Sequence, residues 1–218
     1  INMAKKLSVI LIILILSTGC ATLKDESYES ILNTTMSSNV AITNTFRAGY
    51  KYYLPKGMRN LSHEGSNEIL ALNNDIYYMY VDRVSYYNKI ERDYEPNSEA
   101  VYSQSLQKDN LFGYIEIKNT ANEQYFIEIM YNYAKIEVIV DKDKANEAIA
   151  YAMSILTSIS YQDEVLTSLM GEDVLKTSEI EHNIFESADT ESGYLQIVEE
   201  YGQYEEKEEV VDPDFIRK

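Results

Sequence analysis

The strongest constraint on the fold is a strict alternation of apolar and polar side chains between residues 111 and 140. Isoleucine or valine occupies every second position in the core of three consecutive segments, LFGYIEIKN, QYFIEIMY and AKIEVIV. In the first, Ile115 and Ile117 alternate with Glu116 and Lys118. Successive side chains of a strand point to opposite faces, so the pattern predicts antiparallel strands with one face in the core and the other in solvent.

Further elements follow from turn residues and from a change of period. Residues 46–54 are rich in aromatic side chains and end at Pro55-Lys56-Gly57, which predicts a strand and a turn. Two strands joined at Asn73-Asn74 are predicted in the segment NEILALNNDIYYMYVDRVSYY, because Asn tolerates the positive φ of tight hairpins. After Asp143, helical spacing predicts a helix with one apolar stripe: Ala145, Ile149, Ala152, Leu156 and Ile159. Asp141 and Asp143 are expected to cap the start of this helix.

These elements predict an α+β fold. An antiparallel meander sheet of about five or six strands is packed by helices that cover one of its faces. The order of elements, from the Tyr-rich YKYYLPKG strand to the DKANEAIAYAMSILTSI helix, is similar to that of the PsbP-like superfamily. That resemblance implies a sandwich fold over residues 40–162 and a non-catalytic binding or assembly role.

The first 20 residues have the features of an export signal. Lys5 and Lys6 precede an uncharged block from Leu7 to Leu16, and the segment then ends at Gly19 and Cys20. As a helix the block spans only about 15 Å, roughly half of a bilayer core, so it is short for a transmembrane anchor. A basic start, a short apolar centre and a small-residue exit are typical of a secretory signal peptide, for which Met3 is the expected start.

The exit sequence LSTGC resembles the lipobox of bacterial lipoproteins. In that family the cysteine sulfur receives a diacylglycerol and the signal is cut just before it, which implies cleavage between Gly19 and Cys20 and acylation of Cys20. Ser17 stands where the strict motif has Leu, and Leu16 lies one position earlier. The resemblance implies a protein anchored on the outer face of the bacterial cytoplasmic membrane; the alternative is a buried cysteine after an uncleaved helix.

Charge is concentrated in the last quarter of the chain. The formal net charge is −17, and residues 163–218 contain 17 acidic against 4 basic side chains. Nucleic acid is therefore not expected as a partner, since its recognition requires a basic face. Because like charges repel, we also expect this acidic body to stand off an anionic lipid surface.

The predicted organisation has four parts. Residues 1–19 are the signal peptide, and residues 20–45 form either a tether or a short amphipathic helix. Residues 46–162 form the α+β domain, and residues 163–218 are an acidic helical or irregular extension. Within that extension a run of glutamates is expected to be solvated or to make weak cation contacts, namely Glu205, Glu206, Glu208 and Glu209.

Candidate binding residues come from a tyrosine cluster, since the chain has 20 tyrosines and no tryptophan. Tyrosine is an ordinary strand residue, and alternation sends roughly half of these side chains to the core, so a structural role is favoured over a binding role. Of the two faces of the IYYMY strand, the one with Tyr78, Tyr80 and Asp82 is expected to be exposed and is the possible binding surface. One cysteine and two histidines, His63 and His182, are too few for structural zinc, so no metal or cofactor is expected.

Three classes of function remain open. The sequence favours a non-catalytic module that binds an envelope protein or a cell-wall component, held to membrane lipid through Cys20. The alternatives are a solute-binding lipoprotein of a transporter and a carboxylate-based glycan hydrolase. A shallow aromatic groove would favour binding, two lobes would favour transport, and a deep cleft with two facing carboxylates would favour the hydrolase.

Overall fold

The computed structural model describes residues 23–38, 42–91, 93–120 and 122–171. The chain divides into two units, residues 1–179 and 180–218, and every described residue belongs to the first. The predicted lipidation and cleavage residues Gly19 and Cys20, and the glutamate run from Glu205 to Glu209, lie outside the described residues.

Ten strands and four α-helices make up the described part. The helices are α1 (Tyr28–Ser37), α2 (Arg83–Asn88), α3 (Ala145–Leu156) and α4 (Asp163–Gly171), and 3₁₀ turns cover Leu23–Asp25 and Lys142–Lys144. The strands are β1 (Thr45–Arg47), β2 (Tyr50–Tyr52), β3 (Arg59–Glu64), β4 (Asn67–Leu72), β5 (Asp75–Val81), β6 (Tyr102–Lys108), β7 (Leu111–Asn119), β8 (Gln124–Tyr131), β9 (Ala134–Asp141) and β10 (Ser160–Tyr161). In this described part, no helix is long and apolar enough to cross a bilayer.

The main sheet has seven antiparallel strands in the order β3-β4-β5-β9-β8-β7-β6, and β1, β2 and β10 form a small second sheet. The predicted α+β class is confirmed, but the count of five or six strands is too low. The prediction omitted the two edge strands. All six residues of β3 are exposed, and β6 buries only Leu106, so neither strand carries an alternating apolar pattern.

The core lies between one face of the main sheet and helices α1 and α3. Ile115, Ile117, Ile127 and Ile129 are fully buried on that face, so the alternation assigned the core side correctly. The apolar stripe predicted for the helix is also buried, with Ile149 at 0% exposure. For residues 20–45 the sequence left a tether and a short helix as alternatives. The structure has helix α1 there, and its Ile31 and Leu32 pack into the same core.

Two local predictions were wrong at element ends. Residues 83–88 were expected to continue a strand, but they form α2, because the Asp82 carboxylate accepts a hydrogen bond from the Ser85 backbone N–H and caps a helix there. Asp141 and Asp143 were expected to cap α3, yet neither side chain makes a capping bond. Asp143 pairs with Lys24 instead, so this end of the helix has no side-chain cap.

The segment 46–54 is also not one strand. It turns at Ala48 and Gly49 and forms the hairpin of β1 and β2, where Arg47 pairs with Tyr50. Gly49 has φ +89°, a conformation that other residues rarely adopt, so it permits the turn. Its residues Arg47, Tyr50 and Tyr52 contact Glu68 on β4 of the main sheet.

A buried carboxylate joins the two sheets. Glu68 on β4 has a side chain at 0% exposure. It accepts hydrogen bonds from the hydroxyl groups of Tyr50 at 2.8 Å and Tyr52 at 2.6 Å, and from Asn60 Nδ2 at 2.6 Å. Arg47 Nη2 completes the set at 2.6 Å. A buried charge is costly unless it is paired and hydrogen-bonded, and here four donors from three strands satisfy it.

Candidate functional site

A shallow groove with a volume of about 610 Å³ runs along the outward side of helix α3. Tyr53, Pro55 and Lys56 form one wall, and Leu23 and Lys24 lie at one end. The helix supplies the other wall with residues at helical spacing, which therefore share one side: Glu147, Ala150, Tyr151 and Ser154. The groove is thus built from three segments that are far apart in the chain.

Local structure explains why Tyr53 faces outward. Tyr50 and Tyr52 on β2 are fully buried, and alternation along the strand sends the intervening and following side chains away from the core. The Tyr53 backbone N–H donates to Ser158 Oγ at 2.9 Å, which fixes the chain where it leaves the strand. Pro55-Lys56-Gly57 then turns, and Gly57 has φ +95°. The Ser158 hydrogen bond before Tyr53 and the turn at Gly57 after it therefore fix the position of this wall.

The groove contains both signs of charge. Lys24 Nζ lies 3.2 Å from Asp143 Oδ2, and both side chains are about 70% exposed, at 70% and 69%. An exposed pair of this kind adds little to stability. Lys56 and Glu147 add one further charge of each sign. Two tyrosine rings with balanced ammonium and carboxylate groups suit a ligand that is itself polar and carries both charges.

The tyrosine face proposed from the sequence is not an exposed surface. Tyr78 is 4% exposed, and Tyr80 and Asp82 are half-buried. They do lie on the sheet face opposite the helices, where Tyr78 is paired with Glu137 and Tyr80 with Lys135. The expectation of exposure failed because this face is covered by its own long side chains, and Asp82 is occupied in capping α2.

A row of three glutamates crosses that outer face. Glu116 on β7, Glu128 on β8 and Glu137 on β9 are directly opposite one another in register. The Tyr94 hydroxyl donates to Glu116 at 2.9 Å, and the Tyr114 hydroxyl donates to Glu128 at 2.6 Å. The two tyrosine rings stack, with centroids 4.3 Å apart. The face that the alternation predicted to be wet is therefore largely enclosed by a polar network.

Within this row, Glu128 and Glu137 are direct cross-strand neighbours on β8 and β9. Burial raises the pKa of Glu137 to about 7; the hydrogen-bonded carboxyl group of Glu128 acts in the same direction, and Lys135 acts against it. Lys135 Nζ lies 2.6 Å from Glu137 Oε1 and 3.9 Å from Glu128 Oε2. The two carboxyl groups are thus occupied, Glu137 by the Lys135 ammonium group and Glu128 by the Tyr114 hydroxyl.

The raised pKa of Glu137 predicts a pH-dependent stability. The folded pKa of about 7 lies above the ordinary value of 4.5, so the folded protein holds the proton more tightly than the unfolded chain. Stability should consequently fall as pH rises from about 4.5 to about 7 and level off above that. Glu137→Gln removes this titration. Between pH 5 and pH 8, the free energy of unfolding of the wild type, measured with urea, should therefore fall by on the order of 1 to 3 kcal/mol more than that of the variant.

The exposed Glu95 provides the control for this titration. Glu95→Gln should follow the wild type at both pH values. Parallel pH profiles for the wild type and Glu137→Gln would show that Glu137 ionises normally in the folded protein.

The remaining sequence candidates are not brought together. His63 lies on the exposed edge strand β3 rather than in a loop, and His182 lies outside the described residues. In the described ranges, no cluster of three or more His, Cys, Asp or Glu side chains is arranged to hold a metal ion. The sequence analysis missed the groove. The helical spacing from Glu147 to Ser154 could have indicated its helical wall, but no local pattern indicated the wall at Tyr53 and Pro55.

Comparison with known proteins gives no relative: no family model, no curated protein and no solved structure matches this chain.

Proposed function

We propose that this chain is a lipid-anchored protein on the outer face of the bacterial cytoplasmic membrane, where it acts as a non-catalytic module that binds a component of the envelope. The observation that carries the binding role is the groove along α3. It is open and shallow, it has two tyrosines and a proline in its walls, and it offers two ammonium and two carboxylate groups. Such a surface holds a ligand by stacking and ion pairing.

The other two classes fit the described residues less well. A solute receptor closes two lobes around its ligand, whereas the described residues form one domain around one main sheet. A glycan hydrolase needs two carboxylates that flank the scissile bond, whereas Glu137 is buried beside Lys135 and Glu128 accepts a hydrogen bond from the Tyr114 hydroxyl. The PsbP-like resemblance supports the same non-catalytic role and stays a prediction.

The proposed anchor rests on the sequence around Cys20. A lipidated cysteine with two or more acyl chains is held firmly, because each buried methylene contributes about 0.8 kcal/mol. Since Cys20 is the only cysteine in the chain, its modification would leave no thiol elsewhere. The glutamate run from Glu205 to Glu209 stays a prediction of weak cation contacts.

Cys20→Ala is expected to abolish lipid labelling and membrane retention. Cells that express the wild type or the variant are fed a palmitate analogue, and the protein is then examined for label and for its partition between membrane and soluble fractions. Ser17→Leu restores the strict lipobox and serves as the matched control; it should be labelled at least as well as the wild type. Equal labelling of Cys20→Ala would contradict the proposed anchor.

A further inference from the structure

We infer that the groove along α3 docks onto the zwitterionic headgroups of the phospholipid membrane that carries the anchor. This inference rests on the proposed lipid anchor at Cys20 and names the envelope component that the groove takes. Three observations support it: the length of chain between the anchor and the groove, the way that chain is fixed to α3, and the chemistry of the groove walls.

The chain between the anchor and the groove is too short for the groove to lie far from the membrane. Leu23 lies at the end of the groove and is only three residues after Cys20. Three peptide steps of about 3.8 Å each place the two Cα atoms within about 11 Å of each other. The headgroup layer is itself roughly 5 to 8 Å thick on each side of the bilayer core. A cysteine anchored by its acyl chains therefore holds this end of the groove at the headgroup layer.

The chain is fixed to the domain from Leu23 onward. Asn146 on α3 donates its side-chain amide to the carbonyl oxygens of Leu23 at 2.8 Å, Lys24 at 3.3 Å and Glu26 at 2.7 Å. Helix α1 follows at once and buries Leu32 completely in the core. Residues 23–37 are therefore part of the folded body, and they cannot act as a long flexible tether. With the proposed anchor, this side of the body would lie at the lipid surface, whereas net charge alone predicted that the body stands off anionic lipid.

The groove walls match a zwitterionic headgroup. Tyr53 and Tyr151 are amphipathic rings of the kind that favour the membrane interface. Lys24 and Lys56 can pair with the lipid phosphate, while Asp143 and Glu147 can pair with its ammonium group. The local charge is balanced although the chain carries a net −17, so this side of the protein avoids the repulsion that anionic lipid would exert. The exposed Leu23, at 42%, adds an apolar contact beside the anchor.

The chain contains no tryptophan, so a single introduced indole reports its own position. Tyr53→Trp places the indole in the groove. Tyr94→Trp is the matched control, because Tyr94 stacks on Tyr114 on the sheet face that lies away from α3. Each intact, lipid-anchored variant is reconstituted into phosphatidylethanolamine–phosphatidylcholine vesicles with acyl chains brominated near the headgroup. We expect strong bromine quenching of Tyr53→Trp and little quenching of Tyr94→Trp. Tyr151→Trp provides a second groove position and should be quenched like Tyr53→Trp.

Lipid labelling of the same samples separates failure of the docking from failure of the anchor. Labelled protein in which neither groove indole is quenched would overturn the docking, leave the anchor intact and assign the groove to a protein or glycan. Labelled protein with equal quenching at all three positions would also overturn it, since the domain would then have no preferred orientation. Unlabelled protein would overturn both proposals.

Discussion

Ile149→Asp is expected to unfold the domain. Ile149 is 0% exposed between α3 and the main sheet, and an aspartate there would place an unpaired charge in the core. The cost is on the order of 4 kcal/mol or more, against a total stability of about 5–15 kcal/mol for a domain. Leu156, also at 0% exposure on the same side of the helix, should respond in the same way to Leu156→Asp. Circular dichroism and thermal melting measure the effect.

Two controls separate loss of the core from a general response of the helix to substitution. Ile149→Val removes one methylene group and should cost only about 1 kcal/mol. Glu147→Asp changes the exposed side of the same helix and should melt close to the wild type. If Ile149→Asp and Leu156→Asp also melted like the wild type, α3 would not cover the sheet in the way described.

Glu68→Ala is expected to destabilise the protein by about 3–5 kcal/mol, because it removes the acceptor from four donors in a buried site. The Arg47 guanidinium would be left without its carboxylate, and the hydroxyl groups of Tyr50 and Tyr52 would lose their acceptor. The hairpin of β1 and β2 should loosen most, since these contacts join it to β4. Urea unfolding gives the free energy, and amide hydrogen exchange locates the loss.

The matched control is Glu64→Ala on the adjacent strand β3, where the side chain is exposed. It should change the free energy of unfolding by less than about 0.5 kcal/mol. Similar losses for Glu68→Ala and Glu64→Ala would contradict the described network, as would loss of hydrogen-exchange protection spread evenly over the domain.

The sequence predicted those elements whose side-chain pattern follows from burial. Ile115 and Ile117 alternate with charged residues because one face of β7 packs on helices, and Ile149 and Leu156 share a stripe because α3 covers that face. The Asn73-Asn74 turn was predicted correctly for a local reason, since Asn73 has φ +55°. Where each residue's environment depends on its own element and one neighbouring layer, periodicity is sufficient.

Prediction failed where an element has no buried face or where its partners come from distant segments. The edge strand β3 is exposed along its length, so no alternation marked it. Glu68 interrupts an apolar strand, and only the structure shows the donors that make a carboxylate acceptable there. Tyr78 was expected in solvent because it shares a strand face with Asp82, but Glu137 and Lys135 enclose that face with their long side chains.

The groove shows the same limit at the level of function. Leu23, Tyr53 and Tyr151 come from three separate elements, and none of them is unusual in its own segment. Their proximity depends on the Asn146 contacts with the 3₁₀ turn and on the exit of the chain from β2. The lipobox-like sequence at Cys20 is a local motif, so it was visible at once. Only the structure shows that Leu23, three residues after Cys20, lies in a 3₁₀ turn that is hydrogen-bonded to Asn146.

The central proposal is a domain attached to the membrane directly through Cys20, and mass spectrometry of the mature amino terminus tests it most directly. Protein extracted from membranes is digested, and its amino-terminal peptide is sequenced and weighed. We predict a peptide that begins at Cys20, carries a diacylglyceryl group on the sulfur and continues into Ala21, Thr22 and Leu23. A peptide in which Gly19 is still joined to a Cys20 with a free thiol would contradict the proposal.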